Sequence, residues 1–229
     1  MSFSQQNLQV PLTVQIVTIF SFLDSWIDIN YTNVQSGGNF KARYRQLPES
    51  TDKDIIFKET YRIFRKLRNT VIHSNININI DIANNKVDFD GLILSIDTIY
   101  WLYSLSCELL SSNKEVYISE AYHIGVLRYY YNRIVTDLQN CGYTDDVPIS
   151  FLTISSGIQI IVTLRYLVKN AKYQVLGNYL CFDIYNCGYD YYKADYEIVY
   201  DNNIYRVPEE ALSENNMIEL SYIGLWANK

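Results

Sequence analysis

The hydrophobic period of this chain changes at residue 75. Upstream, from about 52 to 74, Ile56, Ile63, Leu67 and Val71, with Thr60, recur on one face of a helix. Downstream, Ile76, Ile78, Ile80 and Ile82 alternate with polar residues, which is the period of a strand. No single regular element satisfies both patterns, so a helix must hand over to a strand within a few residues. The segment ANNK (83–86) then reads as a turn and VDF (87–89) as a short return strand.

The rest of the first half is helical by pattern. Leu12, Ile16, Ile19, Phe20, Leu23, Trp26 and Ile27 predict a long helix over 8–34. SGGNFKARYRQLPESTD (36–52) breaks it and reads as a polar loop. Thr51, with Asp54 three residues on, offers a capping box for the helix over 52–74. Asp90 is placed to cap a third helix over 91–112, and a fourth fits 118–140. Beyond 147 the pattern shifts. SGIQIIVTLRYLVKNA (156–171) suits helix or strand, and DYEIVYDNNIYRVP (195–208) reads as a hairpin around DNN. The expected fold is therefore mainly α. A helical domain with a β-hairpin insertion (1–112) precedes a mixed α+β extension (113–229).

Charge narrows the function. Nineteen basic residues against 25 acidic ones give a net charge of −6. That excludes a general nucleic-acid coat protein, whose affinity comes from many phosphate contacts, but leaves room for a local basic site. Such a site is visible on the helix over 52–74. Opposite its apolar stripe lie Lys58, Arg62, Arg65, Lys66, Asn69 and His73, with Arg68 on the flank. This reads as an exposed basic track for RNA phosphates. Ile72 projects into the same polar face, which suggests a covered surface such as a subunit interface. Arg68 and His73 point about 140° apart on a straight helix. A second copy of the chain is one way to bring them together.

Other features point less far. Cys107, Cys141, Cys181 and Cys187 lack the short spacings of zinc or redox motifs, so no metal or cofactor is expected. RYYYNR (128–133) interleaves arginines with aromatics, a pattern that stacks bases or packs a core. Glu120 and His123 lie one turn apart. The N-terminal stretch has no basic n-region, and the apolar segment 147–168 carries Gln159 and Arg165. That segment is read as buried core, with no membrane and a cytoplasmic location.

RNTVIH (68–73) resembles the R-x4–6-H motif of the HEPN superfamily, including the polar residue after the arginine. The resemblance covers roughly residues 8–112. It implies a HEPN-like helical bundle with metal-independent endoribonuclease activity, often in toxins or antiphage-defence effectors. Two copies of such a domain commonly form one composite site, and an antitoxin or defence partner is implied with them. Carried over by position, Arg68 stabilises the phosphate, Asn69 orients groups, and His73 transfers protons. Asn75 stands where some HEPN toxins carry a tyrosine, so regulation through that tyrosine is not implied. HEPN domains that bind RNA, nucleotides or proteins without cleaving anything are the alternative.

Overall fold

A computed structural model of the protein describes residues 12–34, 39–73, 78–111, 117–143, 157–185, 188 and 191–228, the side chain of His73 excepted. The chain divides into two compact units. One takes Met1–Ser111 with Tyr130–Ser155, and the other takes Ser112–Tyr129 with Ser156–Lys229.

In the first unit, α1 (Leu12–Asn30) buries Ile16, Leu23 and Ile27, which fall on one stripe. That stripe serves a core shared with α3 (Asp52–His73), whose Ile56, Ile63, Leu67 and Val71 are buried as the helical period predicts. Each such side chain contributes about 1.5–3 kcal/mol on burial. The expected capping box is present at the start of α3. Thr51 Oγ1 accepts from Asp54 N, and Asp54 Oδ2 accepts from Thr51 N, both at 3.1 Å. Among the described residues, α1 is the one helix long and apolar enough to cross a membrane.

Two elements differ from expectation, each through turn or cap chemistry. The polar loop contains a helix, α2 (Phe40–Gln46), begun by Asn39, whose Oδ1 accepts from Ala42 N at 3.0 Å. The helix expected from residue 91 starts five residues later. β1 (Asn79–Asp81), β2 (Lys86–Phe89) and β3 (Leu92–Ser95) form an antiparallel sheet in chain order. Asp90 and Gly91 turn between β2 and β3 with φ of 55° and 91°, and Asp88 Oδ1 accepts from Gly91 N at 2.7 Å. Asp-Gly between two apolar runs is hairpin chemistry, not a helix cap. The true cap of α4 (Ile96–Leu110) is Ser95, which accepts from Thr98 N at 3.0 Å. Ile76 lies outside the described residues.

α5 (Glu120–Asn140) gives its first half to the second unit and its second half to the first. The second unit holds two further sheets. β4 (Arg165–Val168) pairs in parallel with β7 (Lys193–Tyr200), which pairs antiparallel with β8 (Asn203–Pro208). β5 (Tyr173–Leu176), β6 (Tyr179–Phe182) and β9 (Met217–Glu219) form an antiparallel sheet, and α6 (Leu220–Ile223) follows. The β7–β8 hairpin turns at Asp201 and Asn202, both with positive φ, as its sequence predicts.

The described chain is about 50% helix and 22% strand, in three small sheets. That overturns the expected mainly α, HEPN-like helical bundle with a hairpin insertion: the fold is mixed α+β. The apolar segment expected as buried core is also corrected. Its residues to 156 lie outside those described. The rest runs extended into β4, with Ile160 buried but Leu164 68% exposed.

Candidate functional site

α2 decides what the polar face of α3 can do. It covers the first turns of that face, so the cations there do not form an exposed track. Arg62 is 1% exposed and ion-paired with Glu59, which also accepts a 2.6 Å hydrogen bond from the Tyr44 hydroxyl of α2. Lys58 is buried, 2.6 Å from Glu49, and its ammonium lies 4.6 Å from the Tyr44 ring centroid. Arg43 of α2 is buried as well and binds Asp24 and Asp28 of α1. Burial of a cation requires a carboxylate, and here each has one. The expectation of Lys58 and Arg62 on an exposed face is corrected accordingly.

The last two turns of α3 differ. Arg65 and Lys66 are half-buried, and no carboxylate among the described residues pairs with either. Arg65 lies over the Phe40 ring at 4.3 Å. Arg68 is also half-buried. Its Nη1 donates to Asn69 Oδ1 at 3.1 Å, and its guanidinium sits 5.7 Å from the Phe20 ring centroid on α1. One face of that fork is thus held by an aromatic ring and one edge by an amide, with no competing carboxylate among the described residues. Cations at this end of the helix also complement its dipole. Ile72, 44% exposed, stands beside them. His73 closes the helix. Its backbone is helical and its side chain lies outside the described residues.

The structure therefore brings Arg68 and Asn69 together, leaves Arg65 and Lys66 beside them, and separates off Lys58 and Arg62, both buried, in ion pairs with Glu49 and Glu59. Burial is the largest influence on Glu59 and raises its pKa, although Tyr44, Arg62 and Lys58 pull it down. A carboxyl whose folded pKa is raised holds its proton more tightly in the native state. Its contribution to stability is complete below the ordinary carboxylate pKa and is lost as pH rises through the folded value. Glu59→Gln should remove that slope, because the amide mimics the protonated carboxyl at every pH. Thermal unfolding of both proteins between about pH 4 and pH 7 checks this. A wild-type minus variant difference that stays flat would mean Glu59 does not titrate there.

One cluster in the second unit escaped the sequence reading. Arg165 on β4 binds Asp195 on β7 at 2.8 Å and Glu210 at 2.7 and 2.8 Å, and donates to the Ile161 carbonyl at 3.1 Å. The Tyr122 hydroxyl of α5 donates to the same aspartate at 3.3 Å. The available signal was Arg165, a lone charge inside the apolar run TLRYLV. Within RYYYNR, Tyr131 is buried in the core of the first unit, while Arg133 is exposed and lies over the Trp101 ring. His123 stacks on Tyr117 with ring centroids 4.6 Å apart. Cys107, Cys141 and Cys181 are free thiols, and Cys187 lies outside the described residues. Among the described residues no group of three or more His, Cys, Asp and Glu is placed to hold a metal ion. No family model, curated protein or solved structure matches the chain.

Proposed function

We propose that the protein is a metal-independent endoribonuclease working at the C-terminal end of α3, in the role of a toxin or antiphage-defence effector. The observation that carries this reading is Arg68. It is a half-buried guanidinium oriented by Asn69 and free of any carboxylate among the described residues, five positions before a histidine. In the reaction, the 2′-hydroxyl of RNA attacks the adjacent phosphorus and loses its proton, with His73 as the proton-transferring group. The bond to the 5′-oxygen breaks, that oxygen takes up a proton, and a cyclic phosphate remains. Arg68 stabilises the charge that grows on the phosphoryl oxygens. A homodimer packed around Ile72 overcomes the divergence of about 140° between Arg68 and His73.

A second reading, a module that binds RNA or a protein without cleaving it, is favoured by the burial of Lys58 and Arg62. Their loss leaves a short basic edge of Arg65, Lys66 and Arg68. Incubation with single-stranded RNA in EDTA separates the two. Cutting to cyclic-phosphate ends supports the enzyme, binding without cutting supports the module, and neither outcome sinks both. Changing Arg65 and Lys66 to glutamine should weaken binding and flatten its log–log salt slope by about 1.4, the effect of two lost phosphate contacts on a single strand. An unchanged slope would place RNA elsewhere.

A further inference from the structure

We infer that the free edge of β4 pairs with β4 of a second copy of this chain, antiparallel about a two-fold axis. The backbone sets out the opportunity. Lys193 N donates to Leu164 O at 3.3 Å, and Arg165 stands opposite Lys193 in the register. In a parallel ladder this assigns the main-chain groups of Leu164, Tyr166 and Val168 to β7. Those of Arg165 and Leu167 face away, and no described residue pairs with them.

The same sheet closes its opposite edge with its own chain. Asn228 N donates to Ile204 O at 2.9 Å, and Tyr205 forms a bridge with Ala227. Among the described residues the β4 edge has no such cover, and Arg165–Val168 itself contains none of the lysines and prolines that keep edges apart, Lys169 standing just past its end. Instead Val162, Leu164, Tyr166 and Leu167 are all exposed, Leu167 to 39%.

Charge selects a second copy as the occupant. From 162 to 169 the charged residues are Arg165, which Asp195 and Glu210 neutralise from within, and Lys169, which antiparallel pairing places at opposite ends of the two strands. An edge facing its own copy therefore opposes no like charges, and a two-fold axis presents each open donor with an open acceptor. The Arg165 clamp also fixes the strand before pairing, which lowers the ordering cost of association. This surface lies in the second unit and does not depend on the proposed chemistry of α3.

Sedimentation and hydrogen exchange test it on the full chain. Wild type should self-associate, with slow exchange in the peptide covering 165–168 that quickens on dilution. Leu167→Lys should lower the mass of the largest species by about half, as each β4 pair is lost, and speed that exchange. Leu167→Pro, which removes an outward N–H without touching the bonds to β7, should do the same while circular dichroism stays native-like. Ile72→Asp should leave β4 protection unchanged, whatever becomes of RNA cleavage. The inference is overturned if both Leu167 variants keep the wild-type mass, or if wild type is a monomer with a fast-exchanging β4, which would leave that edge to a different protein.

Discussion

Arg68→Ala should slow RNA cleavage by about 100- to 1,000-fold, the usual loss when one donor to a developing oxyanion is removed. The fold should survive. Arg68 is half-buried, has no carboxylate partner among the described residues, and gives up one amide contact and one aromatic contact. The aromatic contact is worth about 0.5–1 kcal/mol. Arg68→Lys should recover part of the rate, since an ammonium supplies charge without the planar fork. His73→Ala should be at least as damaging, through the lost proton transfer. Single-turnover cleavage of a labelled RNA, with thermal unfolding alongside, gives the answer. Mixing the two inactive variants adds a test of geometry. If Arg68 of one copy works with His73 of another, mixed dimers regain about a quarter to a half of the activity, as expected for statistical pairing. Full activity in Arg68→Ala would remove the arginine from the chemistry altogether.

Arg165→Ala should destabilise the second unit by about 3–5 kcal/mol, the range found when one member of a buried ionic cluster is deleted. Its side chain and those of Asp195 and Glu210 are each at least 87% buried, since their exposures are 13%, 11% and 11%. Truncation leaves two carboxylates facing each other with little solvent, and it frees the Ile161 carbonyl. The two carboxylates raise the pKa of Arg165 despite its burial, so the cation is present at every ordinary pH. Arg165→Lys should restore only part of the loss, because one ammonium cannot span both carboxylates in the same bidentate way. Hydrogen exchange over 157–168 and β7 should quicken far more than exchange over α1 and α3. An unchanged denaturation midpoint would mean that apolar packing alone holds β4 in place.

Much of the architecture was legible in the residues. The stripes of α1 and α3, the Thr51–Asp54 capping box and the Asp201–Asn202 hairpin are local patterns, and each is found where the period or the turn chemistry put it. The misreadings have local causes too. Asp-Gly at 90–91 carries a turn signal that outranks the helical period after it, and Asn39 starts a helix inside a segment too polar to suggest one.

The sequence by itself determined which faces of its long helices are apolar, where the chain turns, and that Arg68, Asn69 and His73 end one helix together. Only the tertiary structure decided which cations are available. A helical wheel gives the direction of a side chain from its own helix, but not what another segment places against it. α2 comes down on the first half of the polar face of α3, so Arg62 is enclosed with Glu59 and Lys58 is buried against an exposed Glu49, while Arg68 has no carboxylate among the described residues. Arg165 likewise reads as a charge misplaced in an apolar run until the sheet brings Asp195 and Glu210, 30 and 45 residues away, to either side of it. Burying an ion depends on partners remote in sequence, and periodicity carries no information about them.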